Sequence, residues 1–154
     1  MAQSPRALGS GLTYDAAVTG QAGVGLLLEG DTLLRPILLE LLEDFGLRVV
    51  TPASVEEAIA SAADLNPRLV VAEGWAISGP RLTHGGRERL EQLAARAPVV
   101  LLTTWLQADR VACSDLRLGG VLVHPFDLDD LASCVRDCVA RGESTPAARA
   151  DCCK

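Results

Sequence analysis

The stretch Pro67-Arg68-Leu69-Val70-Val71-Ala72-Glu73 decides the fold of this chain. Four consecutive apolar residues follow the helix-breaking pair Asn66-Pro67, and the run ends in a carboxylate and a glycine. A short continuous apolar run of this kind is typical of a strand that is buried on both faces of a parallel sheet. Because ligands and chemistry gather beyond the carboxyl ends of such strands, Glu73 is the first candidate site residue.

Apolar runs of the same kind recur along the chain and alternate with helical patterns. The predicted strands cover residues 24–29, 47–51, 67–73, 98–103 and 121–124. The predicted helices cover residues 33–45, 54–64, 87–96, 108–116 and 128–141, and an irregular loop is expected over 74–86. Five strands that alternate with five helices predict an α/β fold, a doubly wound parallel sheet with helices on both faces.

Three local signals mark helix ends in this pattern. Asp31 or Thr32 is expected to cap the first helix, and Gly46 is expected to end it. Ser54 and Glu57 have the spacing of a capping box at the start of the second helix. These signals fix where the first two strands end, and therefore where Glu29 lies at the end of the first strand.

Composition limits the domain organisation and the class of protein. A chain of 154 residues fits one domain, here residues 23–141, with a flexible arm over 1–22 and a flexible tail over 142–154. The net charge is −6 and the only lysine is Lys154, so a nucleic-acid partner is not expected. No leader and no apolar stretch of membrane length is evident, which predicts a cytoplasmic protein without membrane contact.

Four short motifs in order resemble the receiver domain of response regulators. The resemblance covers residues 24–141, and the motifs are Leu27-Leu28-Glu29-Gly30-Asp31, 67–73, Leu101-Leu102-Thr103 and Leu122-Val123-His124-Pro125-Phe126. The resemblance implies a five-stranded sheet in the order 2-1-3-4-5. It also implies phosphoryl transfer from a histidine kinase to an aspartate that ends the third strand, with Mg²⁺ held by acids, a lysine on the phosphate, and a Thr and an aromatic residue as switch.

Most of the chemical positions implied by the resemblance carry other residues here. Glu73 takes the place of the phosphoacceptor aspartate, and Gly30 takes the place of a metal-binding acid beside Glu29 and Asp31. His124 replaces the lysine and Val121 replaces the switch aromatic, so that only Thr103 is retained. The degenerate pocket therefore consists of Glu29, Gly30, Asp31, Glu73, Thr103 and His124, and no metal, cofactor or catalytic residue is expected.

These replacements act against aspartyl-phosphate chemistry for physical reasons. Mg²⁺ requires near-octahedral oxygen ligands, and Gly30 removes one carboxylate. Glu73 places its carboxylate roughly 1.5 Å farther out, where a misplacement of about 1 Å can cost about 100-fold in rate. His124 has a reference pKa of about 6.5, so it does not supply the fixed positive charge of a lysine.

Several pocket residues leave two interpretations open. Glu73 either imitates a phosphorylated aspartate or is an inert remnant. His124 either pairs with Glu73 or Glu29, or bonds to the backbone. Trp75 and Trp105 both follow strand ends and are expected on the pocket rim, where they either plug the former metal site or cap a small ligand.

The cysteines leave a further question open. Cys134 and Cys138 lie one helical turn apart, and Cys152 and Cys153 end the chain. These thiols either form a zinc or redox site or are simply half-buried and tail thiols. With Cys113 the chain has five cysteines, and their odd number and late position do not describe a disulfide framework.

The resemblance and the replacements together predict a stand-alone pseudo-receiver that acts by binding another signalling protein. No DNA-binding output domain is expected, since only about a dozen residues follow the last predicted helix. The expected contact surface is the fourth helix, fifth strand and fifth helix, which also allows a homodimer. The charged residues expected at its rim are Asp109, Arg110, Asp115, Arg117, Asp130 and Arg136.

Three alternatives remain. The first is a small-ligand-binding regulator that uses the tryptophan-rimmed pocket, and the second is a divergent response regulator that is still phosphorylated. The third is an enzyme of unrelated type, since flavodoxins share this topology. The loop Glu29-Gly30-Asp31-Thr32 speaks against a flavodoxin, because it lacks a hydroxyl-rich phosphate cradle and adds negative charge.

Overall fold

The computed structural model describes residues 23–112, 116 and 118–142. The strands in this part are β1 (Val24–Leu28), β2 (Arg48–Val50), β3 (Leu69–Glu73), β4 (Val99–Thr103) and β5 (Gly120–Val123). The helices are α1 (Leu34–Asp44), α2 (Val55–Leu65), α3 (Gly74–Ser78), α4 (His84–Ala94), α5 (Trp105–Ala112) and α6 (Leu128–Gly142). The proposed arm 1–22 and tail residues 143–154 lie outside the described residues, as do Asp115 and Arg117.

The strands form one parallel sheet in the order β2-β1-β3-β4-β5, which confirms the predicted fold class and strand order. The register pairs Leu28 with Ala72, Glu73 with Leu102, and Thr103 with Val123. The carboxyl ends of β1, β3, β4 and β5 therefore lie along one edge of the sheet, which brings the candidate site residues to that edge.

Alternate residues of each strand face two separate cores, because successive side chains of a strand point to opposite faces. One core packs under α1 and α6 and contains strand residues such as Leu27, Val71 and Leu102. The other packs under α2, α4 and α5 and contains strand residues such as Leu26 and Val70. The continuous apolar character of β3 and β4 follows from this burial on both faces.

The predicted helix-end signals hold in the structure. The Asp31 carboxylate accepts hydrogen bonds from the backbone N–H groups of Leu33 and Leu34, at 2.8 and 3.3 Å. Gly46 has a positive φ of 81° just after α1, where glycine is favoured. The Ser54 hydroxyl accepts from Glu57 N–H at 3.1 Å, and the Glu57 carboxylate reaches back to the N–H of Ala53.

Three predicted helix boundaries and one predicted loop are wrong. The segment 74–86 is not irregular, because β3 continues directly into the short helix α3 and α4 begins at His84, three residues before the expected start. The Thr83 hydroxyl caps α4 by accepting from Gly86 N–H at 3.0 Å. The helix expected over 108–116 begins at Trp105, and α6 includes Gly142. Gly85 and Gly86 concealed the true start of α4, since glycine disfavours helix interiors.

In the described part of the chain, no helix combines the length and the apolar character that crossing a bilayer requires.

Candidate functional site

Two glutamates and a short loop form an acidic pocket at the carboxyl edge of the sheet. Glu29 follows β1 and Glu73 ends β3, the neighbouring strand. The Glu73 carboxylate accepts from the backbone N–H of Gly30 at 3.4 Å, and the Glu29 carboxylate accepts from the N–H of Asp31 at 2.9 Å. The structure therefore brings together all four predicted residues of the first and third strand ends.

Glu29 is the electrostatically unusual member of this pocket. Its side chain is only 5% exposed, and its Oε2 atom is buried with no hydrogen-bond partner among the described residues. Burial raises the pKa of its carboxyl from the ordinary value of 4.5 to about 7, against the lowering effect of the hydrogen bond from Asp31. The neighbouring Glu73 and Asp31 raise it further, because like charges disfavour ionisation.

The residues present do not fit the Mg²⁺ that the receiver resemblance implies. Gly30 offers no side-chain ligand, and the Asp31 carboxylate is turned away to cap α1. The Glu29 carboxyl is only about half ionised near pH 7, since its pKa is about 7, which weakens it as a metal ligand there. Among the described residues, no group of three or more His, Cys, Asp or Glu side chains is arranged to hold a metal ion.

Thr103, at the end of β4, is already engaged in a buried hydrogen bond. Its hydroxyl donates to Oε1 of Gln107 at 2.7 Å, and both side chains are buried. Nε2 of Gln107 in turn donates to the carbonyl oxygen of Gly79, at the end of α3. This chain of bonds, which we call the Thr103–Gln107–Gly79 link, joins the ends of β4, α5 and α3.

His124 follows β5 beside this link but does not pair with the glutamates. Its backbone N–H donates to the carbonyl oxygen of Thr103 at 2.9 Å. Its ring lies 4.9 Å from the ring of Phe126, and its Nε2 atom is buried without a hydrogen-bond partner in the described part of the chain. The ion-pair interpretation is therefore wrong here, because Nε2 contacts no carboxylate and the ring packs against an aromatic neighbour.

An aliphatic core residue, Val121, occupies the position that the resemblance assigns to the switch aromatic. Val121 lies in β5 opposite Leu101 and packs against the core under α2, α4 and α5. Its side chain is partly buried and has no polar group. It has no hydroxyl group or aromatic ring that could respond to a change in the hydrogen bonding of Thr103.

Trp75 does not plug the pocket. Its side chain is 59% exposed, whereas Ile77, two residues further on, is 2% exposed. Residues two apart on a helix point in nearly opposite directions, so the helical conformation of α3 turns Ile77 inward and Trp75 outward. The side chain of Trp105 lies outside the described residues, although its backbone begins α5.

A cleft with a volume of about 350 Å³ lies beside the acidic pocket. It occupies the side of β1 that faces β2, and its lining includes Glu29, Gly30, Arg35, Thr51, Pro52 and Ala76. Trp75 is not among its lining residues. A second cavity, behind α3, has a volume of about 10 Å³, which is the space of about one water molecule.

Cys134 and Cys138 face the glycines that precede and begin β5. Both thiols approach the carbonyl oxygen of Gly119, at 4.0 and 3.6 Å. A hydrogen bond from Cys138 lowers the pKa of Cys134, and Arg141 lowers it further, while burial and Asp137 oppose this. Both are free cysteines, and Cys113, Cys152 and Cys153 lie outside the described residues.

Sequence reasoning missed two residues of this region, Gln107 and Arg35. Gln107 was placed before the fourth predicted helix, so its four-residue spacing from Thr103 went unnoticed. Arg35 donates from Nε to the carbonyl oxygen of Glu29 at 2.9 Å. It is a cation in the first turn of α1, where the helix dipole disfavours positive charge. The unfavourable position of this positive charge was the sequence signal that Arg35 has a role other than stabilising α1.

Comparison with solved structures supports the fold. The chain superposes on a signal receiver domain of a LuxO repressor protein from Vibrio parahaemolyticus with a TM-score of 0.64 and 18% identity, covering 80% of this chain and 94% of that one. It also superposes on the receiver domain of an HD domain-containing protein from Pseudomonas fluorescens, with a TM-score of 0.65 and 18% identity over 81% and 100% of the chains.

The chemotaxis response regulator CheY4 of Vibrio cholerae gives a TM-score of 0.59 and 21% identity over 77% of this chain and 99% of that one. No protein family profile matches the chain, and no curated protein matches it by sequence. At this level of identity the comparisons establish a receiver-like fold. The chemistry and partners of the chain have to be argued from its own residues.

Proposed function

We propose that this chain is a pseudo-receiver, a regulatory module that binds another signalling protein without being phosphorylated. The observation that carries the proposal is the engagement of Thr103. In a phosphorylated receiver this hydroxyl is the group that follows the phosphate, but here it donates to Gln107 at 2.7 Å within the core. Breaking a buried hydrogen bond and leaving its acceptor unpaired costs about 1–3 kcal/mol, which a phosphate would have to supply.

The acceptor and metal positions support the same proposal. Glu73 points its carboxylate at the N–H of Gly30, and Gly30 supplies no ligand. His124 packs against Phe126 and provides no clamp for a phosphate. The acceptor, the metal ligand, the clamp and the switch hydroxyl therefore all differ from what phosphoryl transfer requires.

Phosphorylation is tested with acetyl phosphate and Mg²⁺. We expect no mass gain of one phosphate by intact-mass spectrometry, and no change in the amide NMR spectrum with beryllofluoride and Mg²⁺. A phosphate on Glu73 would contradict the proposal. The matched control is the variant E29D/G30D/E73D/H124K, which restores the chemistry on the same scaffold; its phosphorylation, beside an inert wild type, attributes the loss to these four positions.

The partner surface we propose is the face of α5, β5 and α6, which are the fourth predicted helix, fifth strand and fifth helix. Arg110 and Asp130 supply exposed charges on this side. Arg136 is less suited to it, because its guanidinium lies 5.8 Å from the centre of the Phe45 ring, at the end of α1. Asp109 belongs to α5, but its side chain lies outside the described residues.

A second partner surface is favoured by exposed apolar side chains at the carboxyl edge of the sheet. Leu33, Ile37, Trp75 and Leu128 are 81%, 45%, 59% and 43% exposed, and they lie at or near the starts of α1, α3 and α6. These helices follow β1, β3 and β5, so the four residues share one end of the molecule. We call this set the apolar edge; such exposed residues mark interaction sites when they lie together.

A pull-down from native lysate compares the two surfaces. If α5, β5 and α6 bind the partner, R110E/D130R loses it and L33S/I37S/W75S keeps it, and the opposite result assigns the apolar edge. The variant E73A tests whether the pocket charge matters for the same interaction.

Light scattering with size-exclusion chromatography tests the homodimer; a monomer at all concentrations contradicts self-association. If none of the variants loses a specifically bound protein, the interaction proposal itself is contradicted.

A further inference from the structure

The cleft beside the acidic pocket has the features of a small-molecule site. Its walls are mixed and slightly more polar than apolar. The apolar part comes from the end of β1, the segment after β2, and α3, with Leu28, Pro52 and Ala76 among its residues. None of Glu73, Thr103 and His124 lines it. It is therefore distinct from the place where a receiver holds its phosphate, although the two share Glu29.

Glu29 supplies an unsatisfied polar atom to this cleft. Its Oε1 atom accepts from Asp31 N–H, and its Oε2 atom is buried with no partner in the described part of the chain. The side chain is 5% exposed and belongs to the lining of the cleft. Because its pKa is about 7, this carboxyl is ionised mainly above neutral pH, and there a cationic donor such as an ammonium group gives it the strongest hydrogen bond.

Arg35 supplies the opposite charge at the exposed end of the same cleft. Its Nε atom donates to the carbonyl oxygen of Glu29 at 2.9 Å, which holds the guanidinium beside the lining. The side chain is exposed, in contrast to that of Glu29. Its terminal nitrogens make no hydrogen bond or ion pair with the described residues, so they are available to a carboxylate, for which the planar guanidinium is well suited.

We propose that the cleft binds a small zwitterion of amino-acid size, with its ammonium group on Oε2 of Glu29 and its carboxylate on Arg35. The apolar part of the walls and the Thr51 segment would then surround a short side chain. An inorganic anion is disfavoured by Glu29, and a simple cation leaves Arg35 unpaired. The volume of about 350 Å³ accommodates such a molecule. This site does not depend on the proposed protein-binding function.

The test is an amide NMR titration of the full chain with L-alanine, L-serine and L-valine. Ethylammonium and acetate, each with one of the two charges, are the comparison probes. We expect saturable shifts centred on Thr51, Ala53 and Ala76 with the amino acids, and weaker binding of either single-charge probe. E29Q and R35Q should each weaken amino-acid binding by about tenfold or more, since each removes one charge-assisted interaction.

The exposed glutamate Glu40 on α1 gives the matched control. E40Q makes the same chemical change as E29Q outside the cleft and should leave the affinity unchanged. The proposal is overturned if no amino acid gives saturable shifts, which would mean that water satisfies Glu29. It is also overturned if ethylammonium binds as tightly as L-alanine, or if E29Q and R35Q both bind like wild type. A dispersed spectrum of each variant shows that it is folded.

Discussion

The hydroxyl of Thr103 and the side-chain carbonyl of Gln107 are 2.7 Å apart in the interior, one helical turn from each other along the chain. Gln107 also donates to Gly79, so one amide joins the end of the fourth strand to the end of α3. Because both side chains are buried, neither finds water if the other is removed. The Thr103–Gln107–Gly79 link therefore works as one unit, and its members should be coupled in stability.

The first prediction is that T103V and Q107L are each destabilising, by about 1–3 kcal/mol, because each leaves a buried polar partner unpaired. The double variant T103V/Q107L should be less destabilised than the sum of the two. Urea unfolding of all four proteins gives the coupling free energy directly. Additive effects of the two substitutions would show that the hydrogen bond contributes nothing to stability.

The second prediction concerns Gly74. The Thr103–Gln107–Gly79 link leaves no room for a side chain at this position. A Cβ atom at this position would lie 2.3 Å from Oε1 of Gln107 and 3.2 Å from Oγ1 of Thr103. G74A should therefore lower the free energy of unfolding by about 1–3 kcal/mol. It should do so by displacing Gln107.

The matched control for that substitution is G85A in α4. Nothing lies within 4 Å of a Cβ atom at Gly85, and its φ is not positive. Alanine in a helix is favoured over glycine by up to about 1 kcal/mol, so G85A should stabilise the protein. Thermal or urea unfolding of G74A and G85A compares the two changes, and a shift of the same sign in both would contradict the close contact at Gly74.

The third prediction is a pH dependence of stability that originates at Glu29. Its pKa in the folded protein is about 7, above the ordinary 4.5. Between these values the unfolded chain releases the proton and the folded protein keeps it, so stability falls as pH rises from about 4.5 to about 7 and then levels off. The loss amounts to about 3 kcal/mol at most.

The variant E29Q isolates this effect, because glutamine has the same shape and no ionisation. It should match wild type near pH 4.5 and exceed it in stability at pH 8, measured by urea unfolding at both values. Carboxyl groups remote from Glu29 titrate alike in both proteins and cancel in the difference, whereas Glu73 and Asp31, which interact with Glu29, contribute to it. A difference that does not change with pH would place the folded pKa of Glu29 near its ordinary value.

The fourth prediction concerns the reactivity of Cys134. The hydrogen bond from Cys138 lowers its pKa, and Asp137 raises it. C138A should therefore slow the alkylation of Cys134 by iodoacetamide at pH 7.5, whereas D137N should accelerate it. Peptide mapping by mass spectrometry separates this thiol from the others in the chain. Equal rates in wild type and C138A would mean that the two thiols do not interact.

The strands of the sheet could be predicted from the sequence, because burial on both faces produces short continuous runs of apolar residues. The runs at Leu69–Glu73 and Val99–Thr103 are strands in the structure within one or two residues of their predicted bounds. Gly46 and Ser54 have local effects, so the adjoining helix ends were also predictable. The placement of Glu29 and Glu73 side by side followed from the order of the strands.

The details of the site depended on contacts that no local pattern encodes. The direction of Trp75 depends on α3 being helical, and a five-residue helix gives too few periods to be recognised. The role of Gln107 depends on a partner 28 residues earlier, Gly79. The tilted packing of His124 against Phe126 likewise depends on the turn after β5, and the sequence had left open whether His124 pairs with a glutamate or bonds to the backbone.

The two open edges of the sheet have a consequence for how copies of this protein meet. The β2 edge is only three residues long and carries the exposed Arg48, and the β5 edge is four residues long. Short edges, one of them with a charged residue, give a neighbouring chain little backbone to pair with, which opposes fibrillar aggregation. Self-association of the native protein should therefore proceed by side-chain docking between helices and dissociate on dilution.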